Sequence, residues 1–153
     1  MAEHDPQLRG RSPAYDQDYG AWLGHQVALL KAGRWSELDK DRLIDEVESL
    51  GRSDFKGFVS AIEIVIVHML KWDRQPDKRS RSWIASIEEH RARIEQELED
   101  SPSYKSRTDE AVGRAFRTAR IIASGETGLD LRSFPADNPY SWGDIVGREH
   151  SLD

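Results

Sequence analysis

The strongest constraint on the fold lies between Ser53 and Trp72, where Phe55, Phe58, Val59, Ile62, Val65, Ile66 and Met69 recur at intervals of one, three and four. That spacing gathers them on one face of an α-helix and on no face of a strand. Ile64 and Val67 fall on the opposite side. A helix that is apolar on two faces has to be covered from both, so this segment is expected at the centre of a bundle. Its most apolar stretch, Val59 to Leu70, is interrupted by Ser60, Glu63 and His68 and falls well short of the roughly 20 residues needed to span a bilayer, so no membrane partner is expected.

The flanking segments repeat the helical period. Tyr19, Trp22, Leu23, Val27 and Leu30 form one stripe, with Gly33 as its natural stop. Asp39 can cap a second helix with Leu43, Ile44, Val47 and Leu50 on its core stripe, and Gly51 predicts a break or kink before Ser53 and Asp54 start the chain again. Pro76 makes 73–80 a loop. A fourth helix from near Ser82 carries Trp83, Ile84, Ile87, Ile94 and Leu98. Ser101-Pro102 opens a fifth, with Tyr104, Ala111, Val112, Ala115, Phe116, Ala119 and Ile122, that ends around Gly125. Gly128, Pro135 and Pro139 forbid a long helix beyond it; Leu129, Leu131, Phe134, Tyr140 and Trp142 are expected to pin this tail to the bundle.

The fold class is therefore all-α: a helical bundle of about five helices with a buried central helix over about 53–72 and an irregular C-terminal tail packed on the bundle. Residues 1–14 read as a loose tail, because they hold charges and Pro6 but no apolar segment of a secretory leader. Residues 15–153 read as a single helical domain, a length that can bury a core of its own.

Charged residues make up 33% of the chain and the net charge is -6, which argues against bulk attraction to nucleic acid or anionic lipid and leaves room only for a local contact. The chain has no cysteine, which excludes disulfides and thiolate metal sites and fits the cytoplasm.

Three features carry candidate chemistry. Glu46 and Glu48 flank Val47 by about 100° on either side, at the boundary of the second helix's apolar stripe. Such carboxylates can hold a metal or act as a general base, and they can equally pair with a neighbouring arginine. Glu63 invites the same two readings. His68, on the central helix beside Lys71 and Trp72, can serve as acid, base or ligand near neutral pH, or as a neutral core residue bonded to one carbonyl. His25 and His90 form no histidine pair at zinc-binding spacing. The third feature is Lys71 to Trp83, which holds five cationic residues against two aspartates. Arg74 and Arg79 beside Trp72 and Trp83 can hold a phosphate or stack on a base, or they can neutralise carboxylates of neighbouring helices.

Several of these positions fall in a recognisable pattern. Asp45-Glu-Val-Glu-Ser-Leu-Gly-Arg-Ser53, His68-Met-Leu-Lys-Trp72, Gln75-Pro76, Arg79-Ser-Arg-Ser-Trp83 and Ser101-Pro-Ser103 resemble the bacterial domain-of-unknown-function family number twenty-nine. Tyr15-Asp-Gln-Asp-Tyr19, Trp22, Glu126-Thr-Gly-Leu129, Phe134-Pro135 and Pro139-Tyr140 fit it too, so the resemblance covers Tyr15 to Val146. His90 departs from it, standing where glutamine is expected. The resemblance implies a small helical protein of the bacterial cytoplasm and carries over no catalytic residue.

Two functions are compatible with these residues. One is a binding or regulatory module that uses the Trp/Arg-rich surface at 71–83 to hold a protein partner or a nucleic-acid strand, with no cofactor. The other is a metal-assisted phosphodiester or nucleotide hydrolase, in which Glu46, Glu48 and Glu63 hold a divalent cation, Lys71, Arg74 and Arg79 stabilise phosphate charge, and His68 is the acid or base. The second requires Glu46, Glu48, His68 and Lys71 to line one pocket.

Overall fold

A computed structural model of the chain describes residues 14–152. The tail expected over 1–14 lies, apart from Ala14, outside the described residues. Five α-helices follow one another: α1 (Tyr19–Lys31), α2 (Lys40–Arg74), α3 (Arg81–Asp100), α4 (Thr108–Thr127) and α5 (Trp142–Gly147). Short 3-10 turns connect them at Trp35–Glu37, Pro76–Lys78, Pro102–Arg107 and Leu131–Ser133, and no strand occurs among the described residues. None of the described helices is long and apolar enough to cross a membrane. By its internal contacts the chain divides into two compact units, the first ending at Arg52 and the second starting at Ser53.

The first unit is a helical hairpin. Asp18 caps α1 by accepting the Ala21 N–H at 2.9 Å. Gly33, at a φ of 69°, ends it: its N–H reaches the Leu30 carbonyl and the Arg34 N–H reaches that of Leu29, which satisfies two carbonyls that the last turn leaves open. Asp39 then receives the Arg42 N–H at 3.4 Å as α2 begins. The hairpin is tied by polar bonds: the Trp22 indole N–H donates to the Asp39 carboxylate (3.1 Å) and the Asp39 N–H to the Gln26 side-chain oxygen (2.9 Å). At the other end, Tyr15 and Tyr19 both donate to Glu46. Since the lower-numbered partners on α1 meet the higher-numbered ones on α2, the two helices run antiparallel.

The break expected at Gly51 does not occur. α2 runs through it without interruption for 35 residues. A single glycine costs a helix interior about 1 kcal/mol, which slows but does not stop propagation. The left-handed backbone that would end the helix is absent at Gly51; among the described residues the positive-φ glycines are Gly33 and Gly128. Arg52 pairs back to Glu48 one turn earlier at 3.6 Å, and Asp54, expected to recap the chain, instead accepts the Tyr104 hydroxyl.

The second unit is a bundle built on the later part of α2. Phe55, Phe58, Val59, Ile62, Val65, Ile66 and Met69 are all buried, and so is Val67 on the other side, as a central helix requires; Ile64 is half-buried. Each such side chain contributes about 1.5–3 kcal/mol by leaving water. Ile87 and Ile94 of α3 join them. From α4 come Phe116 and the alanines 111, 115, 119 and 123, a ridge of small residues that lets neighbouring elements approach closely. The C-terminal tail enters this core through Phe134 and Ile145, whereas Leu131 stays exposed. Arginines fasten it: Arg91 donates to the carbonyls of Ile145 (2.8 Å) and Asp144 (3.0 Å), and Arg120 to that of Leu131 (3.0 Å).

Candidate functional site

Glu46, Glu48, His68, Lys71 and Arg79 each bond to a group in their own unit. In the first, the two tyrosine hydroxyls hold Glu46 below the usual carboxylate range, Tyr15 first and Tyr19 second, because both bonds favour its ionised form. Arg42 lies 4.5 Å above the Tyr15 ring and pairs with Asp16 at 3.4 Å. Glu46 thus works as a latch that fixes the approach to α1. Glu48 is exposed and faces Arg52.

In the second unit, the His68 Nδ1–H donates to the Ile64 carbonyl one turn back at 2.8 Å, a bond that leaves Nε2 as the acceptor nitrogen. Burial pushes its pKa below the ordinary histidine value; Lys71 adds to this, while the Ile64 bond and Glu126 oppose it. Lys71 is held between the Glu126 carboxylate at 2.6 Å and the face of Trp83 at 4.7 Å. Glu63 is partly buried, which raises its carboxyl above the usual range. His90 repeats the His68 arrangement, bonding the Ser86 carbonyl at 2.8 Å. Among the described residues no three histidine, aspartate or glutamate side chains gather as a metal ion would need.

The basic stretch at 71–83 is divided: Lys71 and Arg79 bond within the chain, while Arg74, Lys78 and Arg81 stand exposed. Trp72 is buried, edge-on to His150, with the Arg79 guanidinium 4.8 Å over its ring. Arg79 also donates to the Trp72 carbonyl at 3.0 Å. Asp73 takes a two-pronged bond from Arg148 (2.6 and 3.1 Å) and the Tyr140 hydroxyl at 2.8 Å. Arg74 stays exposed on a cleft of about 530 Å³ that it shares with Asp73, Tyr140 and Arg148.

The most unusual surface lies on stripes that helical spacing assigns to the core. Trp22 of the α1 stripe is buried, but Leu23, Val27 and Leu30 are 40%, 41% and 40% exposed. On α2, Ile44, Val47 and Leu50 reach 56%, 68% and 70%. Val47 was expected on the core stripe of its helix and is instead one of the barest apolar side chains of the chain. On each helix, the exposed stripe is turned by about 90° from the side that meets the other helix, in the same sense along the chain. Because the helices run antiparallel, the two stripes emerge on one face. One signal in the sequence pointed this way: from Tyr19 to Leu30, α1 has no acidic residue, lysine or arginine, where a surface helix ordinarily presents charge to water.

The chain matches the family model described as Domain of unknown function DUF29 over residues 14–150. Comparison with curated proteins and with solved structures gives no match. The match takes in most of both units and every candidate site residue named above, so the chain belongs to the family Domain of unknown function DUF29.

Proposed function

We propose that the protein is a helical binding module whose contact surface is the apolar face of α1 and the first turns of α2. One observation carries this reading: six aliphatic side chains of a short hairpin are 40–70% exposed, on stripes that the antiparallel geometry turns to one face. Contiguous apolar surface of that kind on a folded chain is kept where something covers it. A protein surface is the matching occupant, since the face offers neither the cationic groups for a nucleic acid nor the convergent polar groups of a small-molecule site. The Trp/Arg-rich stretch at 71–83 is the weaker candidate, because Lys71 and Arg79 already bond within the chain. The hydrolase alternative has no comparable support: Glu46 is occupied by two tyrosines and Glu48 faces Arg52. A cysteine-free chain accords with the cytoplasm as the place where it works.

The reading is tested by placing a photo-crosslinking residue at Val47 or at Arg74 in the full chain, inside the cells that make it. A covalent protein adduct from position 47 and none from 74 is the expected result. An adduct from 74 alone would move the binding surface to the basic stretch and overturn the reading.

A further inference from the structure

Resting on the reading of this face as a binding surface, we propose that its occupant is a second copy of the chain. Two hairpins pack face to face into a four-helix bundle, with α1 of one copy lying over α2 of the other.

The spacing is the first argument. Leu23, Val27 and Leu30 on α1 are separated by four and then three residues, and on α2 the exposed Val47 and Leu50 continue the same alternation from the half-buried Leu43. This is the alternation with which helices interlock side chains in bundles and coiled coils. The face thus supplies two of the four helices such a bundle needs, and a two-fold axis supplies the other two from the same sequence.

Area is the second. The six exposed aliphatic residues leave bare the equivalent of about three whole side chains, roughly 300 Å² of apolar surface. Trp35 in the joining turn, 62% exposed, is a further roughly 100 Å² of apolar surface on the same hairpin. A stable interface buries about 800 Å² per partner, of which rather more than half is apolar. One hairpin therefore comes close to the apolar share that each partner of a dimer must contribute, without a surface from elsewhere.

Charge fixes the pairing. Asp41, Asp45 and Glu48 project along the edge of α2 away from α1, so laying α2 upon α2 would set acid against acid. α1 carries no carboxylate and ends in Lys31, so it meets that edge without repulsion. Gly51 completes the fit. It falls within the α2 stripe, and a methyl group built on it would meet nothing of its own chain within 4 Å. Nothing in the single chain requires glycine there, whereas a second helix crossing that point gains close approach.

The experiment is sedimentation equilibrium of the full chain across micromolar concentrations, with Val47→Glu and Leu23→Lys as variants and far-ultraviolet circular dichroism as the check on folding. The expected mass for the parent protein is twice 17.5 kDa. Either variant should raise the dissociation constant at least about 100-fold with the helical signal unchanged, because a buried unpaired charge replaces an apolar contact. If one variant fails to fold, the other carries the test, with Leu50→Gln as a milder third. A parent chain of single mass at all concentrations overturns the proposal, and so does a dimer that all folded variants leave intact. A single-mass chain whose position 47 still crosslinks to a different protein overturns self-association while leaving the binding module standing. Loss of both the dimer and the crosslink removes the two together.

Discussion

Two stretches of the same helix carry nearly the same sequence pattern and meet opposite fates. From Phe55 to Met69, apolar residues at helical spacing are sealed in the second unit's core, none of the main stripe more than 7% exposed. From Ile44 to Leu50, residues of the same kind at the same spacing stand in water, up to 70% exposed. The difference is one of supply. In the second unit, α3, α4 and the tail bring Ile87, Ile94, Phe116, Phe134 and Ile145 to cover the stripe. In the first, α1 meets α2 through polar bonds to Glu46 and Asp39, to one side of its stripe. An apolar stripe records that a helix face is meant to be covered; it does not record what covers it.

That contrast can be broken most sharply by truncation. Phe58→Ala, in a fully buried position, should cost about 3–5 kcal/mol of folding free energy through lost burial and the cavity left behind. Leu50→Ala should change the stability of the isolated single chain by no more than about 0.5 kcal/mol, since a side chain already in water loses little. Urea unfolding of both at low concentration checks this; equal costs would erase the distinction between the stretches.

Gly51→Ala gives a smaller effect with a more specific sign. Its backbone is an ordinary helical one and a Cβ there has open space, so the single chain should gain about 0.4–1 kcal/mol. If a second helix crosses at that point, the same methyl group should weaken association. Stabilisation together with looser self-association sharpens the contrast, whereas a change in stability alone places the partner elsewhere along the face.

The smallest effect is one of pH. Burial holds His68 below its ordinary value of 6.5, so between that value and its lower folded pKa the unfolded chain binds more protons than the folded one. The stability that comes from keeping His68 neutral is present above pH 6.5 and is lost as pH falls through that window. Glu46 is also held low, from 4.5, so its contribution to the first unit is present above 4.5 and fades only in stronger acid. Amide protection, corrected for the slower intrinsic exchange at lower pH, should therefore fall around His68 between pH 7 and 5.5 while the hairpin near Glu46 holds, and His68→Gln should flatten the response. Parallel loss at both places would show that the histidine is not its source.

Much of the fold was legible because helical period, caps and breakers act over a few residues. The stop at Gly33 and the helical run of Phe55 to Met69 follow from neighbours along the chain. The candidate site was less legible. Glu46, His68, Lys71 and Trp72 stood out by residue type, but their partners Tyr15, Tyr19, Glu126 and His150 lie far away in sequence. The arginines that fasten the tail, Arg91 and Arg120, gave no signal, because backbone carbonyls carry no sequence identity.

By itself, then, the sequence determined the all-helical class, the family and the helix that forms the core, since each rests on local periodicity or on motifs read in order. Only the tertiary structure decided that α2 continues through Gly51, that Lys71 and Arg79 bond within the chain, and that the stripes of Leu23 and Val47 are left open. Those outcomes depend on which surfaces meet. Helix propagation is cooperative, a charge goes to whichever opposite group the fold brings near, and an apolar face is buried only where another element arrives to bury it.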